Sequence, residues 1–237
     1  MSPSVVLVPG APVLVPELAG SAATETAAQV GEICRMLRKA AEETDATRIL
    51  VLGHDPEART AGDVRATLAR WGVGVPVGRP TAPLAADDRV PDPLLLAWWL
   101  LDQAGIDIPR SFSGITGDPA DATEPGDADL VVVVADGPAS LTPRAPVPED
   151  PRGVALDGQL ADWLAGAGSL PDPGAAVAAE AGWWSRPVWR VLDALVAGRQ
   201  ARRTLSWAPF GVGYHSAWWP AESAVSAGTA ASRGVEP

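Results

Sequence analysis

The sequence predicts an α/β sandwich built on a mainly parallel central sheet flanked by helices, and three observations carry that prediction. Apolar, β-branched runs alternate along the chain with segments whose apolar residues recur at helical spacing. The strongest run, "LVVVV" at 130–134, is apolar at every position, as expected of a strand covered on both faces. With 47% of 237 residues hydrophobic, the chain can fill one generous core but has little left for a second. A single domain over residues 1–219 is therefore expected, followed at 220–237 by an Ala-, Ser- and Gly-rich tail without periodicity, predicted to be disordered.

The first strand is expected at 5–8 and runs into "PGAP" at 9–12, a turn that offers only Gly10 and Ala11 at its tip. A helix over 24–43 follows, because Val30, Ile33, Cys34, Leu37, Ala40 and Ala41 share one face; Ser21 or Thr24 would cap it and Glu25 would suit its positive end. "RILVLG" at 48–53 is the second strand, stopping at His54-Asp55-Pro56 and completing a β-α-β unit. Residues 60–80 read as a short helix ending at Trp71 and an edge strand in "GVGVPVG", where Pro76 removes a ladder donor. "PLLLAWWLLDQA" at 93–104 is apolar nearly all round and predicts a helix packed on more than one side.

The next core strand, 129–135, ends at Asp136-Gly137. Prolines at 138, 143, 146, 148 and 151 then rule out a helix or inner strand over 138–153, leaving a lid, a binding loop or slack chain. Amphipathic helices follow at 155–165, 173–181 and 187–197, the last with Val188, Val191, Leu192, Leu195 and Val196 on one face. "TLSWAPFGVGYHSAWW" at 204–219 predicts two strands around a Gly211/Gly213 bend.

Charge and composition narrow the partners. The net charge is −11, the only lysine is Lys39 and the arginines are scattered, which argues against nucleic acid. Cys34 stands alone, excluding an internal disulfide or a multi-cysteine metal cluster, and reads as a small core hydrophobe. The longest apolar stretch, 94–101, is far too short to span a bilayer, and no secretory signal pattern occurs; a cytoplasmic location without membrane association is expected.

In sheets of this class ligands bind beyond the carboxyl ends of the strands, which nominates the turns at 9–12, 53–56 and 136–137. No phosphate-binding loop, dinucleotide fingerprint or serine elbow is present. His54, trailed by Asp55 and Glu57, reads as a metal ligand or general base, or else as a strand-end cap. Asp136 is placed to bind a metal, orient a base or cap its own turn. His215 lies opposite Tyr214 in facing and reads as a half-exposed strand residue or a second metal ligand. Glu17 reads as a cleft carboxylate or a helix-start charge, and the pairs Trp98-Trp99, Trp183-Trp184 and Trp218-Trp219 as packing or a partner surface.

Taken together, the "PGAP" turn followed by "LVPEL", then "ILVLGHDPE", "LVVVVADGPAS" and "WAPFGVGYHSAWW", resemble the LigB-like superfamily of class III extradiol ring-cleavage dioxygenases, and within it an actinobacterial branch. The resemblance spans roughly residues 4–219. It implies an α/β fold whose active members hold Fe(II) or another divalent metal through two histidines and a glutamate, with a further histidine as acid/base. The first ligand position falls on Gly10, the second on His54, and the acid/base histidine's place is taken near Ala139, with Asp136 kept. One imidazole holds such an ion too weakly for oxygen chemistry, so a pseudoenzyme without ring cleavage is expected, with no cofactor.

What then remains is a cleft lined by Gly10, Ala11, Asp55, Gly137 and Ala139 around His54 and Asp136, expected to take a small molecule or a protein partner. Two alternatives stand beside it. In a divergent metal-dependent oxidoreductase or hydrolase, His54 and Asp136 would be catalytic, with His54 and His215 the metal candidates and His215 or Glu17 completing the site. In a non-catalytic interaction subunit, a Trp pair or the 138–153 segment would dock a protein partner or a second copy.

Overall fold

Four parallel strands form the middle of a mixed seven-stranded sheet in the computed structural model, which describes residues 2–86, 90–117 and 125–222. The strands are β1 (Ser4–Val8), β2 (Ile49–His54), β3 (Thr60–Ala61), β4 (Ala66–Thr67), β5 (Pro76–Val77), β6 (Arg110–Ile115), β7 (Leu130–Val134), β8 (Arg203–Trp207) and β9 (Tyr214–Trp219). The order across the sheet is β3-β6-β2-β7-β1-β9-β8, while β4 and β5 form a separate small hairpin. Strands β6, β2, β7 and β1 run parallel, and β3, β9 and β8 pair antiparallel at the two sides. The helices are α1 (Pro16–Ala19), α2 (Ala27–Glu43), α3 (Asp92–Gln103), α4 (Pro151–Leu164), α5 (Ala175–Glu180) and α6 (Arg186–Leu195).

The continuous apolar character of β1 and β7 follows from helices on both faces. Val6, Val8, Val51, Val132 and Val134 pack with Ile33 and Leu37 of α2 and the buried run 94–101 of α3. Their alternate neighbours Val5, Leu7, Leu52, Val131 and Val133 pack with Leu156 and Leu160 of α4 and Val188, Trp189 and Leu192 of α6. A period of two thus divides each strand between two cores, leaving no polar side to interrupt the run. On the second face Trp163, Trp183 and Trp189 stack edge-on at 6.0 and 6.4 Å between ring centroids. Five of the six paired tryptophans are buried; Trp184, 58% exposed, is the exception.

Several local readings are corrected. Strand β6 has no counterpart among the expected strands, because "RSFSGI" carries Arg110 where an apolar residue signals burial. Arg110 is nonetheless buried, donating to Asp102 Oδ1 at 3.0 Å and to the Ile106 carbonyl at 2.8 Å, so its charge and donors are matched inside. Helix α2 starts three residues late: residues 20–25 form a 3₁₀ turn that includes Glu25, in which Thr24 donates to the Ser21 carbonyl instead of capping. Helix α4 starts early, at Pro151, whose missing N–H costs nothing at a first helical position, with Asp150 accepting from the Arg152 amide at 2.8 Å as cap.

The proline-rich stretch is neither lid nor slack chain. It is pinned by backbone bonds from Ala139 to Ala181, Leu141 to Gly211, Val147 to Ala139 and Asp150 to Ser140. The prolines terminate regular structure while the residues between them supply the hydrogen bonds that fasten the segment. Cys34 is buried, its thiol pushed up by desolvation, with Sγ 3.9 Å from the Leu100 carbonyl.

The first and last described strands are neighbours. Arg199 gathers the carbonyls of Pro3, Trp219 and Pro220 at 2.7 to 3.1 Å, and the Glu222 amide donates to Ser2 Oγ at 3.2 Å. The tail expected at 220–237 lies, from residue 223, outside the described residues. No helix among the described residues is long and apolar enough to cross a membrane.

Candidate functional site at the carboxyl end of the sheet

The turns after β1 and β7 meet. Because the two strands are parallel neighbours in register, Gly10 and Asp136 emerge side by side, and the Gly10 amide donates to Asp136 Oδ1 at 3.0 Å. A side chain at position 10 would begin with a Cβ only 2.9 Å from Val134 Cγ1 and 3.5 Å from Asp136 Oδ2. The tip of the turn is therefore bare because strand β7 and its aspartate occupy the adjoining space.

Asp136 is held from the other side by α6. Its amide donates to Ser185 Oγ at 3.1 Å, and its carbonyl accepts from the Ser185 hydroxyl and, at 2.8 Å, from Trp189 Nε1. Solvent reaches part of this residue, yet loss of water around the carboxylate pushes its pKa up to about 6, against a smaller pull downward from the Gly10 amide. Tyr214, at the start of β9, is raised well above its usual range by burial, and further by the negative charge of Asp136.

His54 ends β2, the strand beside β7, and its Nδ1 lies 3.0 Å from the Ile115 carbonyl on β6. A carbonyl can only accept, so Nδ1–H donates and fixes the ring from the β6 side. Asp55 turns away to structural work. It is 1% exposed, and it accepts from the Arg59 amide and guanidinium, both at 2.7 Å. Burial acts to raise its pKa, but the bonds and charge of Arg59 outweigh it and hold the carboxyl below its ordinary range. Gly137 donates to the Gly213 carbonyl at 2.7 Å, Ala11 accepts from the Leu14 amide, and buried Ala139 donates to the Ala181 carbonyl. Glu17 is exposed in the first turn of α1.

His215 is corrected from a half-exposed residue to a fully buried one. Its strand faces Tyr214 into the first core and His215 into the second, where Ser206 of β8 and Asp157 of α4 close on the ring. Asp157, Ser185, Trp189 and Ser206 are functional-site candidates that sequence reasoning missed. Each looks locally like an ordinary helix, turn or edge-strand residue, and the pairing of β8 with β9 is what brings Ser206 opposite His215.

The residues present do not fit the metal that the family resemblance implies. Three converging ligands are needed, and among the described residues no three His, Cys, Asp or Glu side chains come together in that way. His54 and His215 sit three strand spacings apart, about 14 Å, too far to share an ion. A separate groove of about 350 Å³ lies along α4, lined by Arg152, Leu156, Gln159, Asp172, Pro173 and Val177. No protein-family model matches the chain, and no curated protein matches it.

Proposed function

We propose that this is a cytoplasmic LigB-like protein that has lost ring-cleavage chemistry and keeps the carboxyl-end cleft around Gly10, His54 and Asp136 as a small-molecule binding site. One observation carries the reading: at the position of the first family ligand, the Gly10 amide is bonded to Asp136, and a Cβ there would fall 2.9 Å from Val134 Cγ1, too close unless Val134 shifts. A side chain there would have to push aside Val134, a core residue of the central strand. The surviving imidazole, His54, is tied at Nδ1 and offers one nitrogen, which is too little to retain Fe(II). Asp136, carrying a proton more readily than an ordinary carboxyl, gives the cleft a group able to donate or accept a hydrogen bond near neutral pH.

The test is anaerobic titration of chelator-free protein with Fe(II), followed by exposure to catechol and oxygen with the ring-opened product followed by its absorbance. The expected result is no stoichiometric iron and no ring opening. One equivalent of iron, lost in His54→Ala, together with catechol cleavage would overturn the proposal.

A further inference from the structure

The second histidine has no part in the reading above, and its surroundings are unusual for a strand residue. His215 is fully buried against the α4 and α6 side of the sheet, with the Trp189 ring edge-on at 5.5 Å. Its two nitrogens are engaged at opposite ends of the ring. Nε2 lies 2.9 Å from Asp157 Oδ1, and Nδ1 lies 2.9 Å from Ser206 Oγ.

An ionised carboxylate only accepts, so the proton of the neutral ring stands on Nε2, and Nδ1 is left as the acceptor for the Ser206 hydroxyl. The backbone makes room for this alignment. A Cβ on Gly213 would fall 1.8 Å from Asp157 Oδ1, and one on Gly137 would fall 3.0 Å from that oxygen and 3.1 Å from His215 Nε2. Ser206, by contrast, is exposed, on a strand with no further strand beyond it among the described residues. A buried base oriented by a carboxylate thus backs the hydroxyl of an exposed residue, the arrangement of an activated nucleophile.

We propose that Ser206 is a nucleophilic serine acting on carboxylic esters, with His215 as its general base and Asp157 as a positioning residue. Ser206 Oγ bonds to the ester carbonyl carbon as its proton passes to His215 Nδ1. The carbon–oxygen bond to the alcohol then breaks, and the departing alkoxide takes that proton from Nδ1. Water, giving a proton to the same nitrogen, attacks the acyl carbon; the bond from that carbon to Ser206 Oγ breaks as the proton passes from Nδ1 to Oγ, releasing the carboxylic acid and free Ser206, so no oxidant or cofactor enters. Serine and aspartate need only hold opposite nitrogens of the imidazole, as they do. The site uses none of Gly10, His54 or Asp136, so it stands or falls independently of the LigB-like reading.

Oriented oxyanion donors supply much of the turnover in such reactions, so the capture step is the sharper readout. The full chain is treated with a fluorophosphonate probe and followed by intact mass and peptide mapping, and separately with p-nitrophenyl acetate in a stopped-flow instrument. The expected result is a single adduct at Ser206 and a burst of nitrophenolate, both abolished in Ser206→Ala, an exposed and structurally mild change. Asp157→Asn should slow capture at least about tenfold while Asp157→Glu recovers part of it, a pattern that mere loss of packing does not give. Capture by Ser206→Ala at the parent rate, an adduct elsewhere, or an unreactive parent overturns the assignment; an unchanged rate in Asp157→Asn overturns the positioning role.

Discussion

Replacing Asp136 with asparagine is expected to stabilise the protein at pH 7.5 and to leave it nearly unchanged at pH 4. The carboxyl has an ordinary value of 3.8 and is pushed up to about 6 by desolvation. Between those values the folded state binds more protons than the unfolded chain, so stability falls as pH rises through that window and the full penalty is present above it. The gap corresponds to at most about 3 kcal/mol, and partial access of solvent to the side chain lowers this to about 1–3 kcal/mol. Asparagine is close to isosteric, its Oδ1 can still accept from the Gly10 amide, and it carries no charge to desolvate. For a chain of this length the gain would raise the melting temperature by roughly 2–10 °C. Urea unfolding of parent and variant at pH 4, 5, 6 and 7.5 measures it, the difference between the two curves isolating this one group. Equal differences at pH 4 and 7.5, or a variant less stable at every pH, would refute the reasoning.

Three further outcomes can be checked by the same unfolding measurement. Gly10→His should cost about 1–3 kcal/mol through the clash with Val134 and should bring no iron affinity, readable by metal analysis after reconstitution. Arg110→Ala should cost about 3–5 kcal/mol, because it leaves the Asp102 carboxylate and the Ile106 carbonyl without their buried donor. Trp189→Ala should cost about 3–5 kcal/mol, whereas Trp184→Ser, on the exposed member of its pair, should stay within about 0.5 kcal/mol.

The parts of this fold that could be read from sequence are those where burial alone decides. β7 is apolar at every position because both its faces are covered, and α6 shows its inner stripe because only one of its faces is. β6 escaped because its buried arginine, which breaks the apolar pattern, is satisfied by Asp102 and by the carbonyls of Trp98, Ile106 and Ile108, partners that lie just upstream in the chain but that apolar periodicity does not reveal. At the site, parallel strand ends placed Gly10, His54 and Asp136 along one side of the sheet, a consequence of topology that alternating elements already implied. The engagement of His215 was not legible, since Asp157 and Ser206 lie 58 and 9 residues away and local periodicity is blind to such pairings. Its burial was misjudged for the same reason: a polar residue near an edge reads as wet until the helix that covers it is known.

The clamp that Arg199 and Ser2 make between the two ends of the described chain has a practical side. Residues 2 and 222 lie together at the amino end of β1, whereas Gly10 and Asp136 lie at the other end of the same strands, about 20 Å away. A tag, fused reporter or surface tether joined at either place would face away from Gly10 and Asp136. The protein could thus be immobilised for ligand screening without its anchor standing in the doorway.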